Sequence, residues 1–198
     1  MRPLRLGILG SGKGSNCRAI LEKIRNGELN AEVRLVVADN PDAGILDVAR
    51  DFGVSSAVLP AGPWRTKLDP AAEAELVRLL HAAGVELIVL AGFMRILKTP
   101  VLDAFARRII NIHPSLLPQF PGKEAWSQAL AAGATVTGCT VHFVDSGIDT
   151  GVIIAQREVE ILPNDTASSL HERIQAAERK LFSEVIGRLA ASWPSRST

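Results

Sequence analysis

The chain has 198 residues, of which 47% are hydrophobic and 22% charged, enough for one globular domain with a sizeable core. A net charge of +1 offers no broad basic field for nucleic acid and no acidic tail for a basic partner, and no apolar run approaches the length of a membrane span. Two distant cysteines, Cys17 and Cys139, exclude a disulfide framework and a cysteine-built metal site, so a reducing, cytoplasmic setting is expected. The opening MRPLRLGILG is too short in its apolar part for a signal peptide and reads as a first buried strand over 4–10. Apolar residues at helical spacing over 15–27 predict a helix that stops at a glycine. A second strand (32–39), a second helix (43–53) and a short third strand (55–60) follow. Pro70 in a first turn and Gly84 just past an end bracket a helix over 70–84. The nearly continuous apolar run 85–92 has the pattern of a parallel strand buried on both faces. A short helix (99–106), a fifth strand (108–111), a Pro-rich loop and a helix (123–133) come next. Two long alternating segments, 134–145 and 151–161, are joined by a Gly-rich turn and so predict an antiparallel pair. A long helix over 166–191 closes the chain, and SWPSRST reads as a frayed tail.

Alternating strands and helices predict an α/β fold: a doubly wound, mostly parallel seven-stranded sheet with a mixed C-terminal edge and a Rossmann-like N-terminal half. Ligands in such sheets sit beyond the carboxyl ends of the strands, where strand order reverses. That rule directs attention to 10–16, 92–98, 111–122 and 145–151.

GILGSGKGSN (7–16) joins the first strand to the first helix. Its glycines permit close approach to a ligand, and the helix start offers free N–H groups to an anion. Lys13 beside that positive helix end, with no acid before Glu22, is unfavourable unless an anion answers it. A phosphate would. The nucleotide P-loop is rejected because Gly14 stands where Ser or Thr should ligate magnesium. The dinucleotide fingerprint is rejected because Gly10, Gly12 and Gly14 alternate, and Asp39 at the end of the second strand does not rescue it.

In IINIHPSLLPQFPG (109–122), Asn111 and His113 stand two residues apart on an extended segment and project together. Pro114 biases His113 toward extended geometry. An amide donor beside an ionisable imidazole suits a carbonyl oxygen that becomes an oxyanion. A carboxylate near His113 would favour its protonated form, and DSGIDTGV (145–152) supplies either Asp149 or Asp145. His142 alternates with Val141 and Phe143 and reads as structural; His81 and His171 read as surface or packing residues. Residues Phe93, Met94, Ile96 and Leu97 are either core or an apolar slot for a flat heterocycle. Lys67 by itself reads as a solvated charge.

Taken together, GSGKGSN, LAGFMRIL, NIHPSLLPQFPG, TGCTVHFVDSGIDTG and IIAQ resemble, in order and from about residue 4 to 187, the phosphoribosylglycinamide formyltransferases of purine biosynthesis. The resemblance implies transfer of a formyl group from 10-formyltetrahydrofolate, as co-substrate, to the amine of glycinamide ribonucleotide. It implies that Gly14, Ser15, Asn16 and Glu178 bind the ribonucleotide. Lys67, Met94, Arg95, Ile96, Leu97 and Asn111 would bind folate. Catalysis would fall to Asn111, His113 and Asp149, the last charging the imidazole and helping relay the amine proton. It further implies one formyltransferase domain over 1–198: a ribonucleotide phosphate-binding half (1–100), a catalytic and folate-binding half (101–190) and a tail (191–198). A homodimer is expected by family habit, with no metal, nucleic acid or membrane. The segment Lys123–Leu130 departs from the family pattern.

A formyltetrahydrofolate hydrolase would use the same three residues with water as acceptor, and is the alternative within the superfamily. Its extra N-terminal domain, and the second basic domain of a methionyl-tRNA formyltransferase, are not expected in this chain. A nicotinamide-dependent oxidoreductase has the wrong glycine spacing. A non-catalytic phosphate-binding module leaves Asn111, His113 and Asp149 unexplained.

Overall fold

A computed structural model describes residues 2–60 and 62–194; positions 195–198 of the expected tail lie outside the described residues. In chain order the elements are β1 (Leu4–Leu9), α1 (Ser15–Arg25), β2 (Ala31–Ala38), α2 (Gly44–Asp51), β3 (Ser56–Val58), α3 (Pro70–Ala82) and β4 (Leu87–Leu90). Then come α4 (Thr99–Ala104), β5 (Ile109–His113), α5 (Ala125–Ala131), β6 (Val136–Phe143), β7 (Ile153–Glu160) and α6 (Ala167–Ser192). The seven strands form one sheet in the order β3-β2-β1-β4-β5-β6-β7. Pairings from β3 to β5 are parallel, and β6 and β7 are antiparallel. The expected α/β architecture and mixed edge are therefore present, and the boundary near residue 100 falls within one continuous sheet.

Helices cover both faces. The inward side chains Leu6, Ile8, Leu87, Val89, Ile110 and Ile112 pack with α1, α2 and α6. The alternate residues Leu9, Ile88, Leu90 and Ile109 pack with α3 and α4. All four residues of β4 are buried, as a strand covered on both faces requires. Local chemistry sets the helix starts. The Asp69 carboxylate accepts from Ala72 N at 2.7 Å with Pro70 following, and Thr166 and Ser169 form a reciprocal capping box at α6.

Most elements end a residue or three inside their expected limits. The informative exception is β5, which continues through His113 instead of stopping at Asn111, because β6 pairs with it antiparallel out to His113 opposite Thr140. Asn111 and His113 thus belong to a strand, with the face parity of Ile109. Helix α6 extends to Ser192, into the expected tail. Strand order reverses between β1 and β4, and the carboxyl ends of such strands are where sheets of this kind bind ligands. There the glycine loop and the loop after β4 are stitched together: Ser11 N donates to Gly92 O at 3.0 Å, and Met94 N to Ser11 Oγ at 2.9 Å. Among the described residues no helix is long and apolar enough to cross a membrane.

Candidate functional site

The glycine loop presents the start of α1 without a protein cap. Gly14 precedes the helix at φ +77°, and a Cβ there would lie 2.8 Å from Ile45 Cα, so only glycine fits. The first turn carries no acidic residue and no side-chain cap. Asn16 reaches back: its Nδ2 donates to Glu178 Oε2 on α6 at 3.3 Å, while its buried Oδ1 has no partner. Burial pushes the Glu178 carboxyl up to about 7, against the Asn16 hydrogen bond, which favours the ionised form. Ser15 is exposed, and the Asn16–Glu178 contact brings α6 to the start of α1 from the other end of the chain.

The residues after β4 play unequal parts. Met94 is 59% exposed, Ile96 is half-buried, and Leu97 is buried in the core beside α3 and α4, leaving its backbone alone available. Arg95 turns inward, with Nε donating to Asp39 Oδ2 at 2.5 Å and Nη1 to the Trp64 carbonyl. Ile96 N donates to Thr66 O at 2.8 Å and Ile96 pairs with Lys67, so the 64–67 segment lies along this loop.

At the rim beyond β5, His113 Nδ1 lies 3.3 Å from Asp149 Oδ2. Of the two acids the sequence left open, Asp149 is therefore the one within reach. Asp145 braces its own turn, accepting from Gly147 N at 3.0 Å and Thr150 Oγ1 at 2.7 Å. Asp149 sits at φ +55°, and the adjacent turn depends on Gly151, whose Cβ would lie 1.7 Å from Phe143 O. Burial opposes ionisation of Asp149 most strongly, but the Gly122 N–H at 2.9 Å and the neighbouring His113 imidazole together hold its carboxyl below the ordinary range. His113 Nε2 lies 2.9 Å from Phe120 O. Phe120 O can only accept, so Nε2 carries the hydrogen, and Nδ1 faces the Asp149 carboxylate.

His142, expected to be structural, stands opposite Asn111 in the β5–β6 pairing. Its Nδ1 lies 2.8 Å from Phe143 O, an acceptor, and so carries the hydrogen. Nε2 then accepts from Asn111 Nδ2 at 3.2 Å. Asp149 Oδ1, 3.6 Å from the same nitrogen, is too far for a hydrogen bond, which makes the Asn111 contact the governing one. His142 thus aims the Asn111 amide and leaves its second N–H free. Periodicity hid this, because a histidine between Val141 and Phe143 looks like any alternating strand residue.

The Pro-rich loop is fastened from below. Thr140 Oγ1 donates to Ser115 O at 2.6 Å and accepts from Leu117 N and Gln156 Nε2, which also reaches Leu117 O at 2.9 Å. Farther on, α5 begins after Glu124 at φ +53° and docks on α6 by stacking Trp126 on His171, 3.6 Å apart. That is the structure of the atypical Lys123–Leu130 segment. His81 likewise packs, 5.0 Å from the Phe105 ring. Burial pushes the thiols of Cys17 and Cys139 up to about 12, which removes both as nucleophiles. Among the described residues no group of three or more His, Cys, Asp or Glu side chains is placed to hold a metal ion.

A family model described as formyl transferase matches residues 4–186. The phosphoribosylglycinamide formyltransferase of Bacillus subtilis (strain 168) is 40% identical over 185 residues, covering 93% of this chain and 94% of its own. The trifunctional purine biosynthetic protein adenosine-3 of Drosophila melanogaster is 43% identical over 190 residues, but the chain spans only 14% of that relative's length. Among solved structures, glycinamide ribonucleotide transformylase 1 from Symbiobacterium toebii matches with a TM-score of 0.91 at 45% identity, over 96% of this chain and 89% of its own.

Proposed function

The chain belongs to the formyl transferase family, and from that premise we propose that it transfers the formyl group of 10-formyltetrahydrofolate to the amine of glycinamide ribonucleotide, a step of purine biosynthesis. The observation that carries this reading is the approach of Asp149 Oδ2 to His113 Nδ1 at 3.3 Å, with Asn111 on the same strand face. Gly14, Ser15, Asn16 and Glu178 hold the ribonucleotide, its phosphate over the start of α1. Met94, Arg95, Ile96, Leu97 and Lys67 receive the folate, Leu97 through its backbone.

The neutral amine attacks the formyl carbon, and negative charge grows on the formyl oxygen. The free Asn111 N–H and a protonated His113 nitrogen donate to that oxygen, in place of the Phe120 carbonyl that His113 now serves. Asp149, held as a carboxylate, keeps the imidazole charged and helps relay the amine proton to the leaving nitrogen. A positioned donor of this kind contributes about 10²–10⁴ in rate. Within the same reading a second copy of the chain is a partner, checked by light scattering on the eluted protein.

Incubation with 10-formyltetrahydrofolate, with and without glycinamide ribonucleotide, tests the proposal by following folate release. Release only with the amine supports it. Release without the amine indicates a hydrolase, and no release in either case overturns formyl transfer.

A further inference from the structure

The rim of the 94–97 loop carries a cation that no carboxylate answers. Lys67 is half-buried and makes no ion pair among the described residues; its Nζ lies instead 4.1 Å from the centroid of the Trp64 ring. Trp64 is 41% exposed, an unfavourable place for an indole with no task. Yet its backbone is fastened: Arg95, anchored by Asp39, donates to the Trp64 carbonyl, and Thr66 O accepts from Ile96 N at 2.8 Å. The fixed backbone makes the ring a platform.

A lysine on four rotatable bonds samples many positions, and ordering it for a ligand costs entropy. The electron-rich indole face restricts that search while leaving the charge formally unneutralised. An ion pair would have restricted it too, but would have cancelled the charge. The Lys67–Ile96 bridge sets the Lys67 backbone beside the loop assigned above to folate.

We infer that Trp64 is a specificity-determining positioning residue: it holds Lys67 ready for a carboxylate on the folate tail, so that a co-substrate with an anionic tail is preferred over the same ring system without one. The inference rests on the folate reading of the 94–97 loop.

The test compares wild type, W64F, W64L, K67M and the W64L/K67M double variant at saturating ribonucleotide. The two co-substrates are 10-formyltetrahydrofolate and the corresponding pteroyl amide, in which a neutral carboxamide replaces the glutamyl tail. W64L raises KM for the folate about threefold to tenfold, leaves kcat within about twofold, and leaves KM for the amide unchanged. W64F stays within about twofold of wild type, and the double variant is no worse than K67M. An equal rise in KM for both co-substrates, or additive losses in the double variant, overturns the inference alone. A wild-type protein that transfers no formyl group overturns the underlying reading, and this inference with it.

Discussion

His113 donates from Nε2 to the main-chain oxygen of Phe120 at 2.9 Å, while the Gly122 N–H, two residues on, donates to Asp149 at 2.9 Å. One short loop segment therefore holds both members of the His113–Asp149 pair. The carbonyl occupies the Nε2 donor, so the imidazole is aimed before a substrate arrives.

Asp149→Asn removes the charge while keeping the shape. The amide no longer favours an imidazolium, and turnover falls at least a hundredfold, with a melting temperature within a few degrees of wild type. Steady-state rates at neutral pH together with a thermal melt check both statements.

His142→Ala leaves the Asn111 amide without the acceptor 3.2 Å away that orients it. Turnover falls by about tenfold. The Asn111→Ala/His142→Ala double variant loses little more than Asn111→Ala alone, because the two side chains act as one unit. A double-mutant cycle on kcat measures the coupling.

Gly14→Ala places a Cβ 2.8 Å from the Ile45 backbone at a positive φ. The loop must shift, and KM for the ribonucleotide rises at least tenfold while KM for the folate changes little. Competition by inorganic phosphate weakens in parallel.

Glu178 ties stability to pH. Its folded value of about 7 lies above the ordinary 4.5, so the protonated carboxyl contributes stability that is full below 4.5 and lost as pH rises through about 7. The loss is on the order of 3 kcal/mol. Denaturant melts of wild type between pH 4.5 and 8 show this decline, and Glu178→Gln melts do not.

Much of this was legible in the chain itself. Apolar runs, alternation, helical spacing and Pro or Gly punctuation located the strands and helices, and the spacing of Asn111 and His113 revealed their shared face. What escaped depended on register. Nothing local says that His142 stands opposite Asn111, since antiparallel pairing is set by the whole β5–β6 ladder. The choice between Asp145 and Asp149 turned on which one the turn consumed for its own N–H groups. The role of the Phe120 carbonyl was invisible because a main-chain oxygen has no sequence signature. The unequal parts of Met94 and Leu97 followed from burial beside α3, which the apolar run LAGFMRIL does not encode.

The central claim is that the His113 proton meets the charge on the migrating formyl group. Turnover of His113→Ala with both substrates saturating tests it most directly. The account predicts a folded variant, still able to bind the ribonucleotide, that has lost at least a hundredfold in kcat. A folded variant with near-normal kcat would contradict it.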